Sequence, residues 1–220
     1  TPDDHALVTA AVAAAEARTS GEIVTLVAGQ SDSYHDVALH WAVLAILGGL
    51  AALATWPGLA LAIHYALAGQ WAEPPTVARL YTIGLIGATL VFLLARLATR
   101  SMRLRILLTP GSTEARRVRR AALAHFRAAA EGRTAQRTGV LLYLSLAEHR
   151  AEIVADAGIH ERVDQALWAD AMAALLDELR AGRPGAGLAA AVERIGVVLA
   201  EHFPKGADDM NEIPDRLVEL

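Results

Sequence analysis

The chain has 220 residues, 54% hydrophobic and 20% charged, with no cysteine and a formal net charge of −4. The low charge with high apolar content excludes a wholly disordered chain, and the acidic balance excludes a polycation built for nucleic acid. Absent thiols remove disulfides, thiolate metal centres and cysteine nucleophiles, which leaves the mean hydropathy of +0.34 as the feature to place.

Residues 5–18 are alanine-rich, with Leu7, Val8, Ala11, Val12 and Ala15 at helical spacing, and Thr19-Ser20-Gly21 stops that helix. Glu22 to Ala28 is a short β-branched run that predicts a buried strand. The excess hydropathy begins after it. No Asp, Glu, Lys or Arg occurs from Val37 to Ala72, and a second uncharged run goes from Leu80 to Ala95, continuing past Arg96 to Thr99. A bilayer core of ~30 Å needs ~20 helical residues. Residues 37–99 therefore read as a transmembrane hairpin, with spans at about 38–62 and 79–99. Trp56-Pro57-Gly58 kinks or ends the first span, so 59–70 either completes it or lies at the interface. Trp41, Trp56, Trp71 and Tyr81 sit near span ends, where amphipathic rings favour the headgroup zone. Gly48, Gly49, Gly84, Gly87 and Ala88 are small enough to let two helices approach closely. No carboxylate or lysine lies at mid-membrane, so no transport path is expected.

Orientation follows from the arginines. Arg96, Arg100, Arg103, Arg105, Arg116, Arg117, Arg119 and Arg120 follow the second span, whereas the loop between the spans holds Arg79 beside Glu73. The positive-inside rule then puts both ends in the cytoplasm of a two-pass inner-membrane protein. The first residues have no basic n-region and no apolar h-region, so no cleaved signal is expected. With no aromatic interleaving and a span alongside, the basic cluster reads as lipid-facing, and nucleic acid is not expected as a partner.

After the insert, Pro110-Gly111-Ser112-Thr113-Glu114 resembles a turn and cap that opens a helix to about Glu131. Thr138 to Leu146 is the clearest strand. Ala147 to Arg150 turns it, and Ala151 to Ala155 returns as its hairpin partner. Helices at about 161–181 and 186–202 follow, and a polar tail closes the chain over 204–220. The expected fold class is α/β: a small mixed-sheet α/β/α sandwich interrupted by the hairpin, with residues 1–36 before the insert and residues 100–203 after it. The first two strands are parallel through a crossover helix, and the third is antiparallel to the second.

That topology brings Glu22, Asp156 and His160 towards one end of the sheet. Two carboxylates and an imidazole suit a divalent cation such as Ca²⁺ or Mg²⁺, or acid–base work; they equally suit ordinary strand-end polarity. The opposite end collects Asp32, His35 and Asp36 before the membrane helix and Glu148 and His149 in the hairpin turn, a second candidate set that also reads as helix capping. There is no phosphate loop, no H-E-x-x-H, no G-x-S-x-G and no D-x-D after a strand, so no dedicated nucleophile is visible.

Ser20-Gly21-Glu22-Ile23-Val24, the strand–turn–strand from Thr138 through Ile153, Ala155-Asp156-Ala157-Gly158-Ile159-His160 and the tail Asp209-Met210-Asn211-Glu212-Ile213-Pro214-Asp215 together resemble the TPM domain family. The likeness is to its bacterial membrane-protein branch, in which a two-helix hairpin is inserted after the first strand. The resemblance implies an α/β/α sandwich, and either an accessory role in membrane-complex assembly or repair or an acid phosphatase activity. Without a visible nucleophile, the expected function is a non-enzymatic interaction module at the cytoplasmic membrane face, bound to the bilayer and to a membrane protein complex. Its alternative is a metal-dependent phosphatase. The polar strip Ala207–Leu220 is the expected recognition segment.

Overall fold

The side chain of Thr1 accepts the backbone N–H of Asp4 and caps α1 (Pro2–Glu16), so the first helix starts earlier than its apolar periodicity announces. A computed structural model of the chain describes residues 1–129, 138–206 and 217–220. In chain order there follow β1 (Glu22–Ala28), α2 (His35–Thr55), α3 (Pro57–Ala68), α4 (Val77–Ala98), α5 (Met102–Leu107), α6 (Gly111–Ala129), β2 (Gly139–Ser145), β3 (Arg150–Ala155), α7 (Ala157–His160), a 3-10 turn (Gln165–Trp168), α8 (Ala169–Arg180), α9 (Pro184–His202) and β4 (Leu217–Glu219). The chain divides into two units, Thr1–Asp32 with Gly111–Leu220, and Ser33–Pro110.

The first unit is a mixed α/β layer structure around a four-stranded sheet of order β3-β2-β1-β4. β1 pairs parallel with β2 and with β4, and β2 pairs antiparallel with β3. Side chains alternate across the strands, so each strand serves two cores. Ile23, Val140, Leu142, Leu144 and Leu217 face α1, α8 and α9, meeting Val8, Val12, Leu175, Leu188 and Ile195. Val24, Leu26, Leu141, Tyr143 and Val154 face α6, which buries Val118, Ala122 and Phe126 four residues apart. The parallel pair and antiparallel third strand agree with the sequence reading. β4 was not expected: the tail read as polar ends in a short strand beside β1.

Two other elements differ from expectation. The helix expected at 161–181 begins later, at α8, because Asp164 turns a side-chain oxygen onto the Ala166 N–H and caps a separate 3-10 turn before it, and the short α7 ahead of it, capped by Asp156, was not expected. The segment after the second apolar run contains α5, too short to show a period. Residues 207–216, with the Asp209–Asp215 likeness and most of the expected recognition strip, lie outside the described residues, as do 130 and 131 at the expected end of α6.

The second unit is built from apolar helices. α2 and α4 are long and apolar enough to cross a membrane, on length and composition. They are antiparallel neighbours, and their outward side chains, among them Leu44, Leu47, Leu85, Leu90 and Leu94, are exposed. Pro57 ends α2 at Trp56 and opens α3 as a separate helix. His64 Nε2 lies 3.1 Å from the Glu73 carbonyl and ties α3 to the loop before α4. The expected role of the glycines is corrected. A side chain at Gly48, Gly49 or Gly87 would meet open space, and one at Gly84 only Leu53 at 3.9 Å, so these residues do not draw α2 and α4 together.

Candidate functional site

β1 and β2 end side by side at Ala28 and Ser145. The ladder continues past them, with Leu146 donating to the Ala28 carbonyl and Ala147 to that of Gly29, both at 3.0 Å. The turn that follows holds His149 at φ 51°, a left-handed conformation rare outside glycine, and carries Glu148 inward. Glu148 Oε1 accepts the Ser31 backbone N–H at 2.9 Å, and Oε2 accepts the Ser145 hydroxyl. The Ser31 hydroxyl lies 3.0 Å from the Tyr143 hydroxyl. His125 of α6 stacks on the Tyr143 ring with centroids 5.8 Å apart. Burial raises the Tyr143 phenol above its ordinary value; the Ser31 hydrogen bond opposes that, and the Glu148 charge adds to it.

A carboxylate on a serine hydroxyl is the pair from which nucleophiles are made. Here Ser145 is fully buried within β2, so a substrate atom would reach it only by opening the sheet end. The network instead fixes the loop after β1 to the turn after β2. Its members Ser31, Tyr143 and Ser145 were missed by the sequence reading. The signal available was Tyr143 and Ser145 two apart on one strand face, with a carboxylate three residues on.

At the opposite end, Glu22 is opposite Gly139 in the parallel ladder, and Asp156 donates its N–H to the Gly139 carbonyl at 2.9 Å. Both carboxylates are buried on the α6 side of the sheet, with a residue lacking a side chain between their strands. Asp156 Oδ1 accepts the Ala157 N–H at 2.8 Å as the cap of α7, while Oδ2 is buried without a hydrogen-bond partner. His160 is exposed at the end of α7. In the second set, Asp32 pairs with Arg117 at 3.0 Å. Separately, His35 Nδ1 lies 3.3 Å from Arg105, and the Asp36 carbonyl is held 2.6 Å from His40 Nδ1. His149 is exposed. Among the described residues no three His, Asp or Glu side chains gather into a group able to hold a metal ion. Neither Glu22, Asp156 and His160 nor the second set forms such a group there.

The basic cluster divides in use. Arg117 pairs with Asp32, Arg119 with Glu152 at 3.3 Å, and Arg116 donates to the Thr113 hydroxyl at 3.0 Å. Arg105 donates to the carbonyls of Thr99 at 2.6 Å and Ser33 at 2.8 Å. Arg100, Arg103 and Arg120 are exposed, and Arg96 is half-buried.

Residues 91–198 match the family model described as TPM domain, a span from the second half of α4 into α9. Among solved structures, the chain is similar to the NMR structure of the BA42 protein from the psychrophilic bacterium Bizionia argentinensis. The TM-score is 0.57 at 17% identity, over 100% of this chain and 94% of that one. At that identity the likeness concerns the fold. No curated protein matches the chain.

Proposed function

From the premise that this chain belongs to the TPM domain family, we propose that it works as a membrane-anchored accessory domain, non-enzymatic, docking on a membrane protein complex at the cytoplasmic face. The hairpin of α2 and α4 is its anchor in the inner membrane, with both sheet-bearing segments on the cytoplasmic side. The observation that carries the reading is the outward surface of these helices: Leu44, Leu47, Leu85, Leu93, Leu94 and Leu97 are each more than half exposed. In water such a surface is unfavourable at roughly 25 cal/mol per Å² of apolar area, and hydrocarbon removes the penalty. The arginines after α4 and the near-absence of charge between α2 and α4 support the orientation. The accessory role is supported by the buried polar network at the ends of β1 and β2, whose hydroxyls and carboxylate are engaged with one another.

Because the chain has no cysteine, Pro75→Cys gives a single thiol in the loop between the spans. An impermeant maleimide should label it from the periplasmic side only; labelling from the cytoplasmic side alone would reverse the topology, and recovery of the full chain in the soluble fraction would remove the anchor. Affinity capture of the full chain from solubilised membranes should recover a membrane complex, and a partnerless profile would overturn the accessory role. So would hydrolysis of a generic phosphomonoester with Ca²⁺ or Mg²⁺ that is lost on combining Glu22→Ala with Asp156→Ala.

A further inference from the structure

The two edges of the sheet are unequal. β4 is three residues long, whereas β3 runs six residues, Arg-Ala-Glu-Ile-Val-Ala, without proline. In an antiparallel ladder, alternate residues turn both N–H and C=O towards the partner strand. Asp156 donates to Gly139, so Arg150, Glu152 and Val154 face β2, and Ala151, Ile153 and Ala155 turn their backbone groups away from the sheet. Among the described residues none of these three makes a further backbone hydrogen bond. An open six-residue edge of this kind is a template for another strand unless something blunts it. Beside it lies a cleft of about 390 Å³ between Glu114 of α6 and Met172 and Leu176 of α8, with Glu148 to Glu152 along its floor.

We propose that β3 pairs antiparallel with β3 of a second copy of this chain, across a twofold axis at Ile153, so that the two sheets become one. The charges on the strand select this occupant and this register. With Ile153 opposite Ile153, Ala151 stands opposite Ala155, Glu152 opposite Val154 and Arg150 opposite Asp156, an opposite-charge pair made twice by the symmetry. Moving the axis by one residue along the strand, the next registers that also pair the outward backbone groups, puts Glu152 opposite Glu152 or opposite Asp156. Like charges directly opposite are unfavourable. Arg150 reaches the pairing with Nε held on Glu114 at 2.6 Å, and Arg119 steadies Glu152, so the edge charges are fixed in place beforehand. The inference rests on the sheet-bearing unit alone and stands or falls independently of the membrane reading.

The native chain has no thiol, which makes cross-linking position-specific. Directly opposite residues in a hydrogen-bonded antiparallel pair have Cα atoms ~5.5 Å apart, inside disulfide range. Full-length Ile153→Cys in detergent should form a covalent dimer on mild oxidation. Ala151→Cys alone and Ala155→Cys alone should stay monomeric, because each thiol lies ~13 Å from its symmetry mate; the two mixed should cross-link. An Ile153→Cys chain that stays monomeric, or an Ala151→Cys chain that links to itself, overturns the register. Where a cysteine variant does not fold, sedimentation of cysteine-free chains reads the same pairing. The wild type should sediment with twice the protein mass of Ala155→Pro, which removes an outward N–H and no bond to β2. A wild type that sediments as a monomer at micromolar concentration overturns the pairing.

Discussion

The backbone N–H of Ser31 donates to the carboxylate of Glu148 at 2.9 Å, joining residues 117 positions apart in the chain. The same carboxylate receives the Ser145 hydroxyl, so one side chain fastens the loop leaving β1 to the turn leaving β2. Glu148→Ala takes the acceptor from a half-buried N–H and a buried hydroxyl, each worth about 1–3 kcal/mol. The expected loss is therefore about 2–6 kcal/mol of stability for the sheet-bearing unit, read as a lower melting temperature of the full chain in detergent. Glu148→Gln keeps an acceptor and should lose less. Equal melting of wild type and Glu148→Ala would remove Glu148 from its bracing role.

Tyr143 gives the same network a signature at high pH. Its phenol stays neutral in the fold to a higher pH than the ordinary value near 10, because burial disfavours the phenolate and Glu148 repels it. Below pH ~10 both folded and unfolded states keep the proton, and Tyr143 adds no pH dependence. As pH rises above that, the unfolded chain ionises first, so stability falls. Alkaline unfolding should accordingly be shallower in Tyr143→Phe than in the wild type, with no difference between pH 6 and 9 beyond a constant offset. Identical profiles above pH 10 would exclude this coupling.

The legible parts of the fold are those in which one local pattern decides the outcome. The β-branched run Glu22–Ala28 and the apolar run Gly139–Ser145 are strands, and the uncharged stretch after Val37 becomes long apolar helices. β4 escaped notice because a three-residue strand with one buried residue, Leu217, has no periodicity to read; it exists because β1 offers it a free edge. α5 is likewise shorter than two helical turns. The buried network was half legible. Glu148 stood out as a turn carboxylate, but its partners are set by the parallel register of β1 on β2, which no local spacing encodes. Asp156 shows the opposite case, since a residue that reads as a metal ligand serves first as the cap of α7.

Arg105 holds the base of the hairpin unit. Its guanidinium donates to the carbonyls of Thr99 at 2.6 Å and Ser33 at 2.8 Å, and Nη2 lies 3.4 Å from the Arg100 carbonyl. Close by in the chain, the Trp41 indole N–H donates to the Leu108 carbonyl at 3.2 Å, just past α5. Lysine cannot span several carbonyls as a planar guanidinium does. Arg105→Lys and Arg105→Ala should therefore both free α5 from α2. Trp41 is the reporter: in a chain with its other tryptophans replaced by phenylalanine, emission should shift to longer wavelength and acrylamide quenching should rise. Unchanged emission in Arg105→Ala would show that Trp41 and α5 are held without it.

The glycines separate close approach from open surface. A Cβ on Gly196 would stand 2.6 Å from the Ala15 Cβ, and one on Gly187 2.9 Å from the Leu175 carbonyl, so α9 lies against α1 and α8 at distances only glycine permits. Overpacking a well-filled interface costs about 1–3 kcal/mol, and Gly196→Ala should destabilise the sheet-bearing unit by that amount. Gly48→Ala and Gly87→Ala meet nothing within 4 Å. There the gain in helix propensity, up to about 1 kcal/mol, should leave the hairpin unit equally or slightly more stable. Thermal unfolding of the full chain in detergent, followed by proteolysis to tell which unit opens first, ranks the three variants. Gly196→Ala melting no lower than the wild type would mean that α1 and α9 can separate freely, and destabilisation by Gly48→Ala or Gly87→Ala would mean that a further helix already occupies that face.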